Sequence, residues 1–208
     1  MALIARQPEN AGTRSEPVTA GMHTAVCYAV IDLGEQYSEK FNNTRRKVLI
    51  CWETDEDMTM DDGTTKPKVI SKEFALSLFE KSDLRKTLTS WRGRDFTPEE
   101  LQGFDLEKIL GAPCLLNVVE QTNGERTYHN VGSVSPLMRG MQAFELYNEK
   151  IYFELTEETV DGLDDKFPKW VADKIKKSTT YSKIVNGNKQ PAKPTLTPID
   201  DIEAEPPF

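Results

Sequence analysis

The chain has 208 residues, 38% of them hydrophobic and 29% charged, with a formal net charge of −8. That size allows one domain of ordinary size with appendages, or two very small ones. The acidic balance excludes a uniformly basic nucleic-acid binder, so any such site has to be a local positive groove, and no apolar run approaches the ~20 residues that span a bilayer.

Residues 1–18 lack the apolar core and small-residue cleavage site of a signal peptide and read as a flexible N-terminal segment of an intracellular protein. From Gly21, "GMHTAVCYAVIDLG" is a long β-type run closed by Gly34. "EQYSEKFNNTR" is expected as a polar loop. "RKVLICWE" is apolar on both faces in its middle, which predicts a central strand. "TDEDMTMDDGTTKP" is expected as an acidic loop with Asp-Gly turn chemistry, and "KVISKEFAL" as a third strand.

The period then changes. In "SDLRKTLTSWRG", Ser82 can cap a helix whose Leu84, Leu88 and Trp91 recur at helical spacing, with Gly93 placed to end it. "TPEELQ" predicts a second short helix, with Thr97 as N-cap, Pro98 in the first turn and Glu100 completing a capping box. "DLEKILG" adds a turn or two between Asp105 and Gly111. Strands resume with "PCLLNVVEQ", an Asn-Gly hairpin turn and "RTYHNVGSVSP", in which Gly132 suggests a bulge.

Three strands, a helical insert and a two-stranded hairpin are the element order of the oligonucleotide/oligosaccharide-binding (OB) fold, a five-stranded Greek-key barrel. The fold class is therefore mainly β, with an OB-fold domain over 19–136 and a helical insert between its third and fourth strands. Residues 137–180 are expected as a small extension packed on the barrel or serving a homo-oligomer contact. It holds a strand candidate (Lys150–Leu155) and an amphipathic helix with Trp170, Val171 and Ile175 on one side. Residues 181–208 read as a disordered linker and acidic tail, because "NGNKQPAKPTLTP" has no helical or strand period.

The enzyme motifs are missing. There is no G-x-S-x-G, no phosphate-cradling Gly-rich loop and no Cys/His metal spacing, and the three cysteines (Cys27, Cys51, Cys114) each sit in an apolar run as free, buried thiols. No catalytic residue, cofactor or metal is expected. Asp61 and Asp62 in "DEDMTMDDG" are the acids a metal-dependent nuclease would use, but the spacing is not that of a cation loop.

Base and aromatic side chains interleave where an OB barrel binds single strands, by stacking bases on aromatics beside a positive groove. Candidate platforms are Tyr37 and Phe41 in the first loop, Trp52 and Phe74 on central strands, and Tyr128 beside the hairpin. Core burial is the competing assignment for Trp52 and Phe74. Candidate phosphate partners are Arg45, Arg46, Lys47, Lys66, Lys68, Lys72 and Arg126. In "SWRGRDF", Arg92 and Arg94 around Gly93 form either a phosphate clamp or a helix terminus with Trp91 and Phe96 in the core.

"IDDIEAEPPF" resembles the C-terminal tip of bacterial and phage single-stranded-DNA-binding proteins, an acidic run ending in Phe on a linker. The resemblance implies that Asp200, Asp201, Ile202, Glu203, Glu205, Pro207 and Phe208 form a hook for replication or recombination proteins, which also competes with DNA for the chain's own groove. Ala204 interrupts the acidic run, and Pro206 stands where that family often has Ile. The body, from Gly21 to Pro136, resembles a group of phage-encoded barrel proteins linked to DNA replication or recombination. It does so through "VIDLG", "RKVLICWE", "SLFEKSDLRKTLTSWRGRDFTPEE", "GFDLEKILGAPCLLNVV" and "YHNVGSVSPL". The implied function is sequence-independent binding of single-stranded DNA in the cytoplasm of an infected bacterial host. The alternatives are a protein–protein adaptor on the same barrel and the nuclease.

Overall fold

A computed structural model describes residues 16–39, 42–124 and 126–187. Phe41 and the 200–208 hook lie outside the described residues. The architecture is mainly β. Six strands form one sheet: β1 (Gly21–Ser38), β2 (Asn43–Thr59), β3 (Thr65–Ala75), β4 (Pro113–Asn123), β5 (Arg126–Ser135) and β6 (Ile151–Phe153). Five run antiparallel in the order β3-β2-β1-β4-β5, and β6 adds parallel to β1. Among the described residues no backbone ladder joins β3 to β5, so the five strands expected as a barrel are present as an open sheet. The two end strands still meet, because Lys72 Nζ on β3 donates to the Val131 carbonyl on β5 at 3.2 Å.

β1 is long enough to serve three partners. Residues 21–26 pair with β4, residues 29–31 pair with β6, and most of its length pairs with β2. The register slips between Cys27 and Ala29. There Cys27 turns its backbone to the end of the helical insert, accepting from Gly111 N at 2.7 Å and donating to the Ala112 carbonyl at 3.2 Å. The bulge expected at Gly132 is present, since Asn117 pairs with Ser133 and Val118 with Val131, leaving Gly132 extra. A Cβ there would stand 2.8 Å from Val119 Cγ1, so any other residue would have to displace that side chain.

The first three strands run further than expected. β1 and β2 extend through much of the supposed polar loop, and β2 and β3 absorb most of the supposed acidic loop. The acids there do not simply face water; they hold backbone N–H groups. Fully buried Glu53 accepts from Tyr147 N at 2.9 Å, Asn148 N at 2.6 Å and Asn148 Nδ2 at 2.5 Å. Asp55 takes His23 Nδ1 and Thr24 N, each at 3.0 Å, Glu56 takes Thr19 N at 2.8 Å, and Asp62 closes its own turn through Thr64.

The helical insert follows its caps. Helix α1 (Asp83–Arg92) begins at Ser82, which accepts from Arg85 N, and ends at a left-handed Gly93. Helix α2 (Pro98–Gln102) carries the full capping box of Thr97 and Glu100, and a short 3₁₀ turn spans Leu106–Ile109. Leu84, Leu88 and Trp91 of α1 enter a first core with Val30, Ile50, Trp52, Phe74 and Leu116.

The extension adds α3 (Leu163–Lys166), α4 (Lys169–Lys176) and α5 (Thr179–Val185). With β6 they cover the opposite face of β1 and β2, where Ile31, Leu33, Leu49 and Cys51 meet Phe153, Phe167, Val171 and Ile175 in a second core. Trp170 is not on that apolar side as expected: the buried face is Val171, Ala172 and Ile175, and Trp170 is half exposed. Among the described residues no helix is long and apolar enough to cross a membrane.

Burial raises all three thiols: Cys51 and Cys114 are pushed up to about 12 and Cys27 further. The thiolate is the reactive form, so the native protein at pH 8 should leave an aromatic disulfide reagent almost unreacted, and denaturation should release all three cysteines. Rapid stoichiometric labelling of the native protein would contradict this packing.

Candidate nucleic-acid interface

Alternation along β2 and β3 decides which side chains can reach a ligand. Val48, Ile50 and Trp52 point into the first core, and Leu49 and Cys51 into the second. Phe74 pairs with Val48 and shares its face, while Glu73 pairs with Leu49 and lies on the other. Trp52 is therefore fully buried and Phe74 is 2% exposed, so neither can stack a base. The opposite face of β1–β2 is closed by the extension. What stays open is the rim.

Two clefts lie along that rim. One, of about 740 Å³, is bounded by the start of β2, the end of β3 and the segment leading to α1; Arg45, Leu76, Phe79 and Lys81 line it. Phe79 is 68% exposed. The other, of about 490 Å³, runs between β3 and β5 and is lined by Ser71, Lys72, Asn130 and Trp170. Trp170 is 51% exposed at its edge. Glu73 lines both clefts. Val131 points inward, so Arg126, Tyr128 and Asn130 share the outward face of β5, and Tyr128 is exposed. Tyr37 stands exposed near the end of the β1–β2 hairpin, donating its hydroxyl to Asn42 Oδ1 at 2.8 Å.

The expected phosphate partners divide sharply. Arg46 is committed to Asp32, with Nη2 to Oδ2 at 2.6 Å, and also reaches Glu154 at 3.3 Å. The Asp32 carboxylate raises the Arg46 pKa further, and Asp32 also accepts from Leu155 N, tying the extension to β1. Lys68 is buried against Glu56 at 2.6 Å, Glu16 at 3.5 Å and the Pro17 carbonyl, so it anchors the incoming chain and faces no groove. Lys47 pairs with Glu73 at 3.5 Å. Arg45 and Arg126 are exposed, and Lys72 donates to the Val131 carbonyl and lies 5.3 Å from the Phe74 ring centre. Lys66 lines a small separate pocket beside Met58 and Val69.

In "SWRGRDF", α1 ends at Gly93 with Arg92 in its last turn. Trp91 and Phe96 are core, and Trp91 Nε1 donates to the Pro113 carbonyl at 2.9 Å. The Arg92 guanidinium packs against both the Phe96 and Phe104 rings, at 4.5 and 4.9 Å from their centres, while the rings meet each other edge-on at 5.3 Å. Glu100 takes Arg92 Nη2 and takes Arg94 at 2.8 and 3.0 Å. A carboxylate already fills the fork a phosphate would use.

Phe79, Lys81 and Trp170 line these clefts, and Lys174 reaches Glu73 there, yet none was among the sequence candidates. Trp170 carried a usable signal, because Val171, Ala172 and Ile175 form a complete apolar face without it. Comparison with protein-family models gives no match for the chain, and comparison with curated proteins gives none either.

The Glu100 clamp has a pH signature. Arg94, then the Thr97 N–H and Arg92, hold its carboxyl at about 2 against an ordinary 4.5. Its contribution to stability is therefore complete above about pH 4.5 and is lost as pH falls towards 2. The gap in thermal midpoint between the native chain and Glu100→Gln should be constant from pH 7 to 5 and close between pH 4.5 and 2. A gap unchanged at pH 2 would contradict the clamp.

Proposed function

We propose that this chain binds single-stranded DNA without sequence preference on an OB-type barrel that is open between β3 and β5. The cleft between those strands carries the proposal: an exposed Trp170 faces Lys72 and Asn130 there, and Tyr128 and Arg126 continue the same rim along β5. Stacking on an exposed aromatic contributes about 1–3 kcal/mol per base whatever its identity. The strand order β3-β2-β1-β4-β5, with helices between β3 and β4, supports the OB assignment. β4 returns beside β1 with β5 outside it, and β3 and β5 are the pair such a barrel leaves partly open.

From the resemblance of residues 200–208, the acidic segment recruits replication or recombination proteins and competes with DNA for the groove. The setting would be the cytoplasm of a phage-infected bacterium. A second reading has its own observation. Arg46, Lys47, Lys68, Arg92 and Arg94 are all paired with carboxylates, which suits a protein–protein adaptor with no DNA affinity.

The test is a titration of the full chain with oligo-dT, followed by tryptophan fluorescence and anisotropy at low and high salt. Trp52 and Trp91 are buried, so quenching should come from Trp170 and vanish in Trp170→Phe. Binding should weaken steeply with salt, be much weaker for duplex, and tighten when residues 195–208 are removed. Failure to bind at low salt, with or without those residues, would leave the adaptor.

A further inference from the structure

Glu73 stands where the two rim clefts meet, and both of its carboxylate oxygens are taken by lysines from different elements. Oε2 meets Lys47 Nζ of β2 at 3.5 Å, and Oε1 meets Lys174 Nζ of α4. None of the three is sealed in: their side chains are 35%, 26% and 32% exposed for Lys47, Glu73 and Lys174. Lys174 lies one helical turn beyond Trp170, so the two project from neighbouring positions on α4 towards the same stretch of β3.

We propose that Lys47 and Lys174 form a subsite for a backbone phosphate of the bound strand, and that the Glu73 carboxylate fills it when no strand is present. This rests on the single-strand reading and specifies its electrostatics. A carboxylate and a phosphodiester each offer two terminal oxygens and one negative charge, so one replaces the other without leaving a lysine unpaired. Ion pairs open to solvent on one side are weakened by screening, which lets Glu73 swing out as the phosphate arrives. The subsite joins the Phe79–Lys81–Arg45 cleft to the Trp170–Lys72–Asn130 cleft, so that a single strand can follow β3 from one to the other. It also explains how an acidic chain keeps a basic track discharged until a strand competes for it.

The experiment compares Glu73→Gln with the native chain, using oligo-dT anisotropy across a salt series. Asp164→Asn removes the same charge from an ion pair with Lys176 on α3 and α4, outside the lining of both clefts. Glu73→Gln should tighten binding about fivefold to tenfold at low salt. It should steepen the salt dependence by about 0.7 in slope for each lysine released. Asp164→Asn should change little, and adding Lys47→Gln and Lys174→Gln to Glu73→Gln should erase the gain. Thermal midpoints establish that each variant is folded. If the native chain binds single strands and Glu73→Gln matches it within the effect of Asp164→Asn, the subsite is wrong and the single-strand reading stands. If neither binds, both are wrong.

Discussion

The structure depends on β1 and β2 being apolar on both faces. A strand pair of this kind cannot rest with one side in water, and burying a large aliphatic or aromatic side chain is worth about 1.5–3 kcal/mol. The chain therefore needs two covers. The helical insert and β3–β5 supply one, around Trp52, Leu88 and Trp91. The extension supplies the other, around Leu49, Phe167 and Ile175. Polar contacts pin the second cover: Asp32 receives Leu155 N, and Glu53 receives the backbone at Tyr147 and Asn148. Removing the extension would expose a continuous apolar face on the sheet, so the extension is a structural necessity rather than an appendage.

That double burial moves any binding function to the rim. The central strands are unavailable on one side because their aromatics are core, and on the other because α3–α5 lie over them. Exposed aromatics remain at the ends and along the β3–β5 gap, and the extension itself delivers Trp170 and Lys174 to that gap. The covering element and the candidate interface are therefore the same helix, α4, with Val171, Ala172 and Ile175 inward and Trp170 outward.

The elements were legible where local chemistry decides them. Ser82, Gly93, Thr97 and Glu100 act as the caps their positions suggest, and Gly132 marks a bulge where a Cβ would crowd Val119. Strand ends were misjudged because "EQYSEKFNNTR" and "ETDEDMTMDDG" are polar by composition, yet ladder pairing and N–H acceptance by Glu53, Asp55 and Glu56 keep them extended. The site was less legible. A sequence shows where arginines and lysines are, but not which carboxylate reaches them across the fold. Asp32 and Arg46 lie 14 positions apart, and Glu73 and Lys174 lie 101 apart. Ion pairing at those separations decided which cations remain for a ligand.

The most direct test of where a strand would lie is photocrosslinking of the native chain to an oligonucleotide containing 5-iododeoxyuridine, with adducts mapped by peptide mass spectrometry. The expected adducts are at Trp170, with Tyr128 or Phe79 as neighbours on the same rim. Tyr147 and Tyr152 are comparably exposed, at 57% and 47%, but lie outside both clefts, so they serve as internal controls. Crosslinks confined to those two tyrosines, or none at saturating oligonucleotide, would contradict the assignment of the β3–β5 cleft as the binding site.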